Sequence, residues 1–166
     1  MGFSVAASIR GFIAPCHQLS ANAFVWRSVL AELRTRCDGR REAGAFLLGR
    51  HVEMRRRILE AVFYDDLDPD CLRNGAIDFD GRKLAALFAL CKQKGLEVVA
   101  DVHVHPRGSG QSDVDHDNAM IRQMGHIALI VPRFARNGDA DLGIYQYHGG
   151  GEWTKQPQSS FYRGIW

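Results

Sequence analysis

Residues 96–105, LEVVADVHVH, read as a buried strand, and the chain on either side must be arranged around it. Successive side chains of a strand point to opposite faces, so His103 and His105 share one face, about 7 Å apart along the strand. Pro106 ends the run, because proline has no N–H to give to a sheet ladder. A second apolar run, HIALIVPRFA at 126–135, reads as the next buried strand. Between the two, SDVDHDNAMIRQMG is expected to form a helix that stops at Gly125.

The remaining elements follow from periodicity and punctuation. Residues 3–15 read as an opening strand. Residues 20–37 carry a helical stripe of Phe24, Val25, Val29, Leu30 and Leu33, with Ser20 as the cap. EAGAFLLGR at 42–50 and RRRILEAVFYD at 55–65 read as a hairpin joined by HVEM. A polar loop follows, then a short strand at 76–80. The helix at 81–95 buries Leu84, Leu87, Phe88 and Cys91 and is stopped by Gly95. A turn at 137–141 leads into a last hairpin at 142–150 and 152–156, and the aromatic tail with Phe161, Tyr162 and Trp166 is expected to dock on the body. Strands and helices do not alternate regularly. That order predicts a mixed α/β, α+β-like fold, a mostly antiparallel sheet flanked by helices. A length of 166 residues suits a single domain spanning 1–166.

Composition removes several function classes. The net charge of +2 is too small, and the arginines too scattered, for nucleic acid to be an expected partner. No segment reaches the roughly 18 apolar residues of a membrane span, and Arg10 interrupts the N-terminal apolar run, so neither a membrane anchor nor a signal peptide is expected. Cys16, Cys37, Cys71 and Cys91 are far apart and form no CxxC pair. They read as reduced thiols of a cytoplasmic protein, which leaves histidine and carboxylate as the available metal ligands.

The HVHPRGSGQSDVD stretch supplies such ligands. His103 and His105 lie side by side, and after the glycine loop Asp115 falls in the first turn of a helix. Two histidines and one carboxylate leave the fourth position of a tetrahedral zinc ion open. The local alternative is structural: Ser112 and Asp115 also fit a capping box, and two same-face histidines also occur on plain surfaces. Asp113, His116 and Asp117 are neighbouring candidate ligands. Glu42 opens an apolar strand, where a charge is unexpected, and is a candidate general base; the alternative is a strand-end carboxylate paired with Arg40 or Arg41.

Together, EAGAFLLG and HVHPRGSGQSDVD resemble the signature of the JAMM metalloproteases, also called MPN-plus domains: a glutamate opening an apolar strand that ends in glycine, then H-x-H-P, a loop and S-x-x-D. The resemblance covers most of the chain, with a loop before Ser112 one residue shorter than the family usually has. It implies a JAMM/MPN-type core, one Zn2+ held by His103, His105 and Asp115, Glu42 as general base, and Ser112 as donor to the oxyanion. It further implies cleavage after the C-terminal glycine of a ubiquitin-like protein or its conjugates, in a compact bacterial pathway with activating and conjugating enzymes as partners, some such pathways serving antiviral defence. The substrate-clamping segment would come from residues 65–79. Processing of a sulfur-carrier protein is the alternative activity, and a non-catalytic scaffold that dimerises with an active relative is the alternative of another class.

Overall fold

A computed structural model describes residues 18–117 and 120–165 of the chain, without the side chains of Val114 and Asp117. The strand expected at 3–15, Cys16 and Trp166 lie outside the described residues.

Strand β1 (Leu19–Asn22) leads directly into helix α1 (Ala23–Cys37). The helix starts two residues later than the Ser20 cap predicts, because Ser20 is spent in β1. Asn22 caps it instead, its side chain accepting from the Phe24 N–H at 2.9 Å. The rotation of the helix changes its inner face: Trp26, Val29, Leu30, Leu33 and Cys37 are buried, while Phe24 is exposed. The expected hairpin forms from β2 (Gly44–Val52) and β3 (Arg55–Phe63). Its register slips at Leu48/Gly49, where a Cβ on Gly49 would stand 1.8 Å from the Arg57 carbonyl oxygen.

After the short α2 (Tyr64–Leu67), the polar loop carries no strand at 76–80, contrary to expectation. Helix α3 (Leu84–Lys94) buries Leu87 and Cys91 but leaves Phe88 exposed, and ends at Gly95 in the left-handed region. Strand β4 (Glu97–Val104) is followed by α4 (Asp113–Asp117), much shorter than the helix expected over 112–124. Then come β5 (Ile127–Val131), β6 (Gly143–Gly149), β7 (Glu152–Lys155) and β8 (Phe161–Gly164).

The strands form one curled sheet in the order β7-β6-β5-β4-β2-β3-β1-β8. This corrects the expected fold class. The sheet is mixed: β1 pairs in parallel with both β3 and β8, and β4 with β5, while the β2–β3, β2–β4, β5–β6 and β6–β7 pairs are antiparallel. It is not a helix-flanked JAMM/MPN-type core: among the described residues only α1 and α3 exceed five residues, so the half-barrel of strands is the dominant element. Short segments caused the error. Four-residue strands such as β1 and β8 show no periodicity to read, and what pairs them is distant in sequence.

Strands β4 and β5 lie mid-sheet and are almost wholly buried. Val102, Val104, Leu129 and Val131 belong to the core, and α1 lies against β1, β3, β4 and β8. Of the aromatic tail, Phe161 docks as expected, buried and stacked edge-to-face on Trp26 at 4.9 Å, while Tyr162 is exposed. Asp139 ties the two together, accepting from Trp26 Nε1 and pairing with Arg163 Nε, each at 2.9 Å.

Candidate metal centre

Alternation along β4 places Asp101 and His103 on one face. His105 lies just past the strand end yet stays in line, because its N–H donates to the Val131 carbonyl and its own carbonyl accepts from the Phe134 N–H, both at 2.9 Å. The glycine loop is fastened to β6 rather than loose. Tyr145 Oη donates to the Ser109 carbonyl at 2.8 Å, and that carbonyl oxygen lies where a Cβ on Gly143 would come within 2.2 Å. The loop delivers Ser112 to the head of α4 and Asp115 to its first turn.

The three expected ligands converge. Asp115 Oδ1 stands 3.2 Å from His103 Nε2, Asp115 Oδ2 stands 3.3 Å from His105 Nε2, and the two histidine Nε2 atoms are 3.0 Å apart. One donor atom from each of the three lies within 4.8 Å of the others. Donors around a tetrahedral ion at roughly 2.0–2.1 Å stand about 3.3 Å from one another, so this donor set has the spacing and the chemistry of a metal triad. Both imidazoles are buried. Asp113 and His116 are exposed and point to no such cluster, and the Asp117 side chain lies outside the described residues.

The electrostatics agree. Burial works to lower the His103 pKa, but the hydrogen bond and charge of Asp115, with Asp101 and Glu42 behind it, prevail and hold it above the ordinary value. Burial likewise works to raise Asp115, and the hydrogen bonds from His103 and His105 overcome it, holding the carboxyl far below the usual range. A cation between these groups would take over the role of the shared protons.

Glu42 reaches the same place from the loop before β2. Its Oε1 lies 3.9 Å from His105 Nε2. Its backbone is held on both sides: the Glu42 N–H donates to the Gly75 carbonyl at 2.8 Å, and the Ala43 carbonyl accepts from the Val104 N–H at 2.9 Å. The arginine pairing considered for it does not form, because Arg40 pairs with Asp38 and Arg41 donates to the Arg36 carbonyl. Glu42, Asp101, His103, Ser112, Asp115 and Trp153 line a single cleft of about 240 Å³.

Sequence reasoning missed a buried network on the floor of this cleft. Tyr64 Oη donates to Asp101 Oδ2 at 3.2 Å, and His126 Nε2 bonds to Asp101 Oδ1. Burial, reinforced by the Asp101 charge, pushes the Tyr64 phenol well above its ordinary pKa, so it stays a donor. One signal was present: Asp101 is a charge inside an apolar strand, two residues before His103. Tyr64 and His126 carry none, since nothing local shows that they meet Asp101.

No family model matches the sequence. Solved structures are similar in shape. A solution structure of a Desulfitobacterium hafniense protein superposes with a TM-score of 0.67 at 15% identity, covering 88% of this chain and 93% of that one. A Salinibacter ruber protein superposes with a TM-score of 0.58 at 19% identity, covering 87% of this chain and 90% of that one. At these identities the likeness concerns the fold alone. Among the described residues no helix is long and apolar enough to cross a membrane.

Proposed function

We propose that this chain is a zinc-dependent peptidase or isopeptidase that cleaves after the C-terminal glycine of a ubiquitin-like protein. The observation that supports the reading is the convergence of His103, His105 and Asp115, with Glu42 beside His105, at the edge of a cleft lined by His103, Asp115 and Glu42. That arrangement is what the motif resemblance to JAMM metalloproteases calls for at these positions.

Bound zinc would supply Lewis acidity toward the scissile carbonyl and lower the pKa of a coordinated water toward neutrality. The protein groups have separate tasks. His103 and His105 would hold the metal through Nε2 as neutral imidazoles, so its binding would compete with the protonation of His103 that Asp115 favours. Asp115 supplies the anionic ligand. Glu42, partly exposed to the cleft, takes a proton from the attacking water and returns it to the leaving amine. Ala76 and Ile77 contribute to the cleft wall from the segment expected to clamp substrate, though as a loop and not as a strand. A di-glycine tail has no side chains to collide with such a wall, which suits an extended C-terminus delivered to the triad.

The test pairs metal analysis with proteolysis. Purified protein is assayed for zinc and incubated with ubiquitin-like precursors extended beyond the terminal glycine. About one zinc per chain and cleavage at that glycine are expected in the wild type. Glu42→Ala should keep the zinc and lose roughly 10²-fold or more in kcat. An active Glu42→Ala variant would remove that residue from the mechanism, and a wild type that holds zinc but cuts no such substrate would end the peptidase reading.

A further inference from the structure

Ser112 gives both of its protons to Asp115, while its carbonyl accepts from the His116 N–H. Its backbone N–H donates to Asp115 Oδ2 at 2.6 Å, and its hydroxyl donates to the same oxygen at 2.8 Å. In return Ser112 Oγ accepts from the Asp115 N–H at 3.2 Å. A serine hydroxyl carries one proton, and here the carboxylate takes it. Two donors on Oδ2 fix the rotation of the carboxylate and turn Oδ1 toward His103. The loop that presents Ser112 is itself pinned by Tyr145 and Gly143 on β6. A carboxylate held this way is aimed before an ion arrives, which spares the ordering cost on binding.

We propose that Ser112 is a positioning residue that acts through Asp115 to set the affinity of the His103–His105–Asp115 centre for a divalent metal. The inference rests on the metal-centre reading of the cleft and not on the identity of the substrate. It differs from the oxyanion role that the motif resemblance implies. An oxyanion donor must keep its proton for the reacting carbonyl and leaves metal affinity unchanged; a positioning serine gives its proton to the ligand and controls that affinity.

The experiment is a competition titration of the metal-stripped full chain with Zn2+ against a chromophoric chelator, run on the wild type and on Ser112→Ala, Ser112→Gly and Ser112→Thr. Loss of the hydroxyl in the alanine and glycine variants is expected to weaken zinc binding about 10- to 100-fold, the usual effect of removing a hydrogen-bond partner of a ligand. Ser112→Thr, which keeps the hydroxyl, should bind nearly as tightly as the wild type. The glycine variant guards against misreading a folding defect, since glycine replaces a capping serine with far less loss of helix stability than alanine. The visible spectrum of the Co2+-loaded proteins gives a second readout: a moved Asp115 alters the ligand field in the alanine and glycine variants only. Wild-type zinc affinity and an unchanged cobalt spectrum in both variants would overturn the proposal and return the hydroxyl to the oxyanion. A wild type that binds neither ion would overturn it together with the metal centre. A wild type that binds zinc but cleaves nothing would defeat the peptidase reading alone, because these affinities are measured without substrate.

Discussion

At Asp115 one carboxylate faces two imidazoles, accepts from a serine, and sits in the first turn of a helix. The capping box and the ligand set, which local sequence presents as rival readings, are the same residues used twice. Their shared charge has a measurable consequence for chelator-treated protein. His103 is raised above its ordinary 6.5, so its contribution to stability is complete below that value and is lost as pH rises through the raised one. Asp115 is depressed below its ordinary 3.8, so its contribution is present above that value and is lost as pH falls through the depressed one. The pair therefore contributes most between those two ordinary values. Thermal melts of the stripped protein should show Tm falling as pH is raised from about 6 toward 8, a limb flattened by His103→Gln. Persistence of the limb in that variant would assign it to another group.

The elements were legible where periodicity is long and hidden where it is short. The hairpin of β2 and β3 and the helix α3 announced themselves through alternation and a glycine stop. Of the helix expected over 112–124 only Asp113–Asp117 is helical among the described residues, with 120–124 not helical, and the strand at 76–80 did not form. Both segments instead line the cleft, through Met120 and through Ala76 and Ile77, where side-chain contacts and not local propensity set the backbone. Element packing also explains why position 44 is glycine. A Cβ on Gly44 would lie 2.3 Å from the Tyr64 ring and 2.9 Å from the Val102 carbonyl oxygen. Gly44→Ala is therefore expected to cost about 1–3 kcal/mol by overpacking, and to push Tyr64 away from Asp101. Urea unfolding checks the first effect; an unchanged midpoint would mean that the ring moves without penalty.

For the whole molecule, the two ends of the described chain meet on one side of the sheet. Strand β8 pairs in parallel with β1, and Phe161 fills the space beside Trp26. Parallel pairing of segments so far apart in sequence closes its loop only after the intervening chain has folded, so this edge depends on the rest of the sheet. Phe161→Ala should lower stability by about 3–5 kcal/mol, the usual cost of emptying a buried aromatic site, read as a drop in the denaturant midpoint. A loss below about 1 kcal/mol would show that the tail adds little to the fold.

What the sequence determined by itself is local. Strand alternation sets His103 and Asp101 on one face, Pro106 ends that run, and the S-x-x-D spacing puts Ser112 and Asp115 within one helical turn. These relations need only the two- and 3.6-residue periods of the backbone. Tertiary structure alone decided the rest. The mixed, curled sheet, the approach of Glu42 to His105, the anchoring of the glycine loop by Tyr145 and the Tyr64–Asp101–His126 network all join residues from separate elements. Which distant partners meet is settled by how the apolar faces of the whole chain are buried together, and no short stretch of residues encodes that.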